Sequence, residues 1–135
     1  MADDAKAERD LLVLSPLVFS GHFKSRIVHE INSWITAATV RAALPVGARP
    51  HVLINTPLGL PVLRHLCLSA NAILRARLVY DVIDDFTIFD WSPGFSRQFD
   101  QELTQVADRV IAGTHELADS RENAVFIPCG VDFDM

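Results

Sequence analysis

Two adjacent carboxylates, Asp84 and Asp85, sit between an apolar run, LVYDVI (residues 78–83), and an aromatic one, FTIFDW (residues 86–91). Neighbouring carboxylates repel one another and resist desolvation, so the pair belongs where a buried element meets water. In that position a carboxylate can take a proton from a hydroxyl, hold a polyol by hydrogen bonds, or ligate a divalent cation. The plainer alternative is that one of the two caps the following turn while the other is simply solvated, since turns select Asp on their own account. Three further groups of short polar residues follow apolar runs in the same way. Asn55 and Thr56 close HVLIN and open TPLGLP, Thr114 follows RVIAG, and His22 lies in SGHFK, after LLVLS. Asn55 and Thr56 are candidates for ligand contact or for helix capping. Thr114 is suited to cap a helix or to present helix-terminal amides to an anionic group.

The elements that would position these residues follow from periodicity. LLVLS (11–15), HVLIN (51–55), RLVYDVI (77–83), RVIAG (109–113) and AVFIP (124–128) are short apolar runs of strand type. Between them, Phe23, Ile27, Ile31, Trp34, Ile35 and Ala38 recur at helical spacing, as do Leu63, Leu66, Cys67, Ala70 and Leu74, and then Phe95, Phe99, Leu103 and Val106. These stripes, with Trp34 and the phenylalanines, are expected in the core. Strand and helix alternate with short connections, which predicts an α/β fold: a Rossmann-like parallel sheet with helices on both faces. Ligands of such sheets bind outside the carboxyl ends of the strands, and every polar group named above falls at such an end. A domain over residues 11–128 is therefore expected, after a polar tail over residues 1–10.

Composition narrows the function. The 135 residues are 50% hydrophobic, enough for one core of ordinary size. With a net charge of −5 and its twelve Lys and Arg scattered, the chain lacks the basic stripe of a nucleic-acid partner. Cys67 and Cys129 form no CxxC, and none of the five histidines sits in a metal-ligand spacing, so no metal and no cofactor are expected. Cys129 reads as a packed thiol. No secretory signal and no apolar run of roughly 18 to 20 residues is present, which points to the cytoplasm. The glycine-rich phosphate loops and the GxSxG elbow are missing from the sequence.

Three stretches taken together, YDVIDDF, ELTQVADRVIAGTHELA and FIPCGVDFD, resemble the N-terminal domains of retaining glycosyltransferases of the GT-B fold, the large family-four group. Within it the chain is most similar to bacterial enzymes of cell-surface polysaccharide assembly, which carry a YDxxDD strand. The resemblance implies transfer of a sugar from a nucleotide-sugar to a hydroxyl of a glycan or lipid-linked acceptor, without a metal. It implies that this domain cradles the acceptor, through Asn55, Thr56 and His22. Asp84 and Asp85 would meet the acceptor or stabilise charge at the anomeric centre, and Thr114 matches the family's small hydroxyl residue after the AD-x-V-I strand. Residues 127–132 match the segment that crosses to a second, donor-binding domain, with Gly130 and Asp132 at the hinge and Cys129 where Asn is commoner. The sequence ends at GVDFDM and lacks the Glu-x7-Glu element of that second domain. A half-enzyme, incomplete at both ends and inactive alone, is thus expected, its intact form peripherally associated with a membrane. Two alternatives remain: a non-catalytic flavodoxin-like binding module, and an inactive truncated product. A receiver domain, one such module, would need a Lys beside its acidic pocket, and the only lysines are Lys6 and Lys24.

Overall fold

In a computed structural model, residues 11–46, 50–67 and 77–128 are described. Four strands, β1 (Val52–Ile54), β2 (Leu78–Val82), β3 (Arg109–Ala112) and β4 (Ala124–Phe126), form one sheet in the order β1-β2-β3-β4. Every pairing is parallel. Helices α1 (Arg26–Ala43), α2 (Leu60–Cys67), α3 (Ser96–Val106) and α4 (His115–Asp119) connect or precede the strands, giving the α/β, Rossmann-like arrangement.

The core forms on one face of the sheet. Tyr80 lies opposite Val110, and Val82 opposite Ala112, and all four are buried. Leu60 and Leu63 of α2, Phe99 and Leu103 of α3, and Ala118 of α4 close over them. On the other face Leu53 and Val125 stay exposed, and no described helical residue of the core cluster covers them.

A polar lock ties the later elements together. The Tyr80 hydroxyl donates to Asp100 Oδ1 at 2.6 Å, and the same oxygen receives Arg121 Nη2 at 3.1 Å. The Arg121 and Asp100 side chains are only 7% and 13% exposed. A buried carboxylate is tolerable there because a cation and a phenol both satisfy it. Burial and this carboxylate push the Tyr80 phenol well above its usual range. Asn123, at φ 60°, makes the tight turn that returns the chain from Arg121 into β4.

Two expectations fail. LLVLS forms no strand: residues 11–14 are exposed and unpaired with the sheet, so β1 is an edge strand. Strand character in a short apolar run is realised only where a neighbouring backbone supplies the ladder. Helix α1 does form, capped by Ser25 Oγ on Val28 N, but its apolar stripe points outward. Trp34 is 58% exposed, and Ile27 and Ile31 are exposed with it. The buried face is instead His29, Asn32, Ser33 and Ala37. Tertiary hydrogen bonds make that inversion possible. Asn32 exchanges two bonds of 2.8 Å with the Phe19 backbone, and His29 Nε2 bonds the Leu58 carbonyl, while Ser33 Oγ is satisfied within the helix by donating to the His29 carbonyl. Val106, the last member of the α3 stripe, is likewise exposed. The tail 1–10, Ala70, Leu74, Cys129, Gly130 and Asp132 lie outside the described residues.

Candidate functional site

The carboxyl ends of β1 and β2 frame a cavity of about 470 Å3. Its floor is the inward face of α1, with His29, Asn32, Ser33 and Thr36. One wall is the turn after β1, Thr56, Leu58 and Gly59, with Val62 of α2 behind it. The opposite wall is aromatic: Phe86 and Trp91 from the loop after β2, and Phe23 from the turn before α1. Val18 and His22 complete the rim.

The aromatic wall is a block of rings. Trp91 stacks on Phe89 at 5.2 Å, and Phe86 meets both edge-on. Phe23 also meets Trp91 edge-on at 5.7 Å, joining the chain before α1 to the loop after β2. Edge-on and offset contacts are the favourable geometries for such rings.

The imidazoles are placed by backbone. Gly21, at φ 87°, adopts the left-handed conformation that turns the chain into α1, and its carbonyl receives both Lys24 N and Ser25 N. His22 therefore faces His29, with ring centroids 6.3 Å apart. His29 Nε2 lies 3.1 Å from the Leu58 carbonyl. A carbonyl only accepts, so Nε2 carries the proton and donates. Burial lowers the His29 pKa, and the nearby His22 adds to that, while the Leu58 bond and Glu30 oppose it. His22 Nδ1 is buried and has no hydrogen-bond partner among the described residues.

Of the residues singled out from sequence, the cavity brings together His22 and Thr56. The Thr56 hydroxyl oxygen also accepts from Leu58 N at 3.3 Å, capping the 3-10 turn over Pro57–Gly59. Of the two alternatives posed for this residue, capping is realised, and the residue also lines the cavity. Asn55 is exposed at the same strand end and outside the lining.

The carboxylate pair lies outside the lining too. Asp85 Oδ1 accepts from both Thr87 N, at 2.9 Å, and Thr87 Oγ1, at 2.6 Å. These bonds hold its pKa below the usual carboxylate range, against some desolvation. Asp85 thus shapes the aromatic loop, while Asp84 is exposed beside it. Thr114 is also a cap: its oxygen accepts from Leu117 N at 3.2 Å, at the start of the five-residue α4.

Phe86, Trp91 and Ser33 were not singled out from sequence as site residues. The aromatic run after Asp85 was a visible signal for the first two. Ser33 gave none, since its position depends on α1 turning its polar side inward. Among the described residues no three His, Cys, Asp or Glu side chains cluster as metal ligands, and no helix is long and apolar enough to cross a membrane. Compared with known proteins, the chain matches no family model, no curated protein and no solved structure.

Proposed function

We infer that this chain is the acceptor-side domain of a nucleotide-sugar-dependent, retaining glycosyltransferase, working on a glycan or lipid-linked acceptor of cell-surface polysaccharide. The observation that carries the reading is the cavity at the carboxyl ends of β1 and β2, where an open parallel sheet binds its ligand. The order of the YDVIDDF, ADRVIAG and IPCGVD stretches supports it from the sequence side. Aromatic faces such as Trp91 suit the apolar faces of sugar rings, and the hydroxyls of Thr36 and Thr56 suit their oxygens. The exposed Asp84 is the carboxylate free to meet the acceptor or the positive charge that develops at the anomeric carbon. Asp85 holds the loop that presents it. Stabilisation of the nucleotide diphosphate leaving group falls to a second domain.

Calorimetry on the purified chain tests this division. Glycosides should bind, and nucleotide-sugars should not. Tight nucleotide-sugar binding with no glycoside binding would overturn it. In a complete homologous enzyme, Asp84→Asn should lower turnover tenfold or more, and turnover within a few-fold of wild type would remove Asp84 from the chemistry.

The bonds that engage Asp85 within its own turn favour a second reading, a non-catalytic binding module that uses the same cavity. In that case the Asp84→Asn enzyme would keep its turnover while the cavity still bound its ligand.

A further inference from the structure

The hydrogen-bonding groups around the cavity are largely committed to the protein itself. Both ends of the Asn32 amide are held by Phe19, Ser33 Oγ donates to His29, and His29 Nε2 donates to Leu58. What remains for a ligand is the Thr36 and Thr56 hydroxyls, since His22 Nδ1, though unpartnered among the described residues, is shut off from solvent. The carboxylates that would hold a polyol, Asp84 and Asp85, are outside. A free hexose brings about five hydroxyls, and each one buried without a partner loses its hydrogen bonds to water with nothing in return. A bare sugar therefore cannot fill this cavity without loss. An apolar body can, because Leu58, Val62, Phe86 and Trp91 offer it contact and demand no hydrogen bond. The volume, about 470 Å3, is that of an ordinary small-molecule site.

We propose that the cavity binds the apolar body of the acceptor, an aryl or alkyl group attached to a sugar or alcohol, with its hydroxyl end received by Thr56. The proposal rests on the acceptor-side reading and adds the ligand class: the domain selects its acceptor by the hydrophobic group rather than by the sugar. The fixed aromatic block makes the wall ready-formed, so little ordering is spent on binding.

Calorimetry and tryptophan fluorescence on the full chain, with glucose, phenyl β-glucoside, octyl β-glucoside below its micellar concentration, and phenol, form the test. At least one of the two glucosides should bind roughly 30-fold or more tightly than glucose, from the added apolar area. Whichever is tighter tells a ring-bearing acceptor from a chain-bearing one. Thr36→Phe, which fills the cavity from the floor, should abolish this binding. His22→Ala, which removes an imidazole ring from the rim, should weaken it several-fold. Circular dichroism and urea midpoints like those of the parent chain show that both variants fold. Equal binding of glucose and both glucosides would overturn the proposal and leave the acceptor-side reading standing. Phenol binding as tightly as its glucoside would support the apolar cavity and sink the sugar reading instead. No binding of any probe by folded protein, or glucoside binding unchanged in Thr36→Phe, would overturn the proposal.

Discussion

In α3, Phe99 and Leu103 turn inward and are fully buried, and Phe95 is half-buried beside them, whereas in α1 the matching stripe, Ile27, Ile31 and Trp34, faces outward. Both helices carry an apolar repeat of three and four residues, and both form. They differ in what lies opposite. Helix α3 packs against Tyr80 and Val110 of the sheet, in a dry core locked by Asp100 and Arg121. Helix α1 presents its polar side to a cavity and satisfies it residue by residue, through Phe19 and Leu58. The comparison separates two roles within one chain, a buried core and a wall of the cavity.

The largest expected effect breaks the scaffold side. Phe99→Ala should cost about 3–5 kcal/mol in urea denaturation, since a fully buried ring leaves a cavity behind. Trp34→Ala, on the exposed stripe of α1, should cost no more than about 0.5 kcal/mol. A loss at Trp34 approaching that at Phe99 would mean that the outer face of α1 is covered in solution, and the contrast between the helices would vanish.

That contrast also marks how far the sequence can be read. The runs at β2 and β3 were legible because both become strands with neighbours on either side, so an apolar run and a strand coincide. The run at residues 11–15 has the same composition and no partner, and partnership is not written in a five-residue segment. The period of α1 was legible and its orientation was not. Periodicity shows that a stripe exists. Which side turns inward depends on bonds such as Asn32 to Phe19, thirteen residues apart. At the cavity, Thr56 could be placed because it follows β1, at the carboxyl end of a strand. His22 reaches the rim for another reason, the left-handed turn at Gly21 before α1, since the run it was placed after forms no strand. Asp84 and Asp85 sit at a strand end as well, yet the Asx turn of Asp85 onto Thr87 uses up the more constrained of the two.

A smaller effect sharpens the comparison at its polar contacts. Arg121→Ala strands the Asp100 carboxylate where it is nearly buried, and should cost about 3 kcal/mol. Asn32→Ala removes a neutral amide that serves one backbone residue, and should cost about 1–2 kcal/mol. If the order were reversed, α1 and its partner segment would be the scaffold.

Tyr80 reports on the scaffold directly, because the chain has a single tyrosine. Burial, then the bond to Asp100 and its charge, raise the phenol's pKa in the folded state, with Arg121 pulling weakly the other way. The unfolded phenol ionises near about pH 10, so the unfolded state loses its proton first and stability falls as pH rises through that value. Phenolate absorbance should therefore appear only together with loss of the circular-dichroism signal. A phenolate that forms near pH 10 with the fold intact would mean that the lock is open to water.

The smallest effect belongs to α1. His29 has a lowered pKa in the folded state, chiefly from burial, and so stays neutral while the unfolded chain takes up a proton near about pH 6.5. Between those two values the unfolded state binds more protons, so stability rises with pH there and is lost as pH falls through the window. Urea midpoints should drop from pH 7.5 to pH 5.5. In His29→Gln, whose amide can still donate to Leu58, the part of that drop due to His29 should disappear. If the slope is the same in the variant, the proton is taken up elsewhere, and the cavity floor is wetter than the burial of His29 implies.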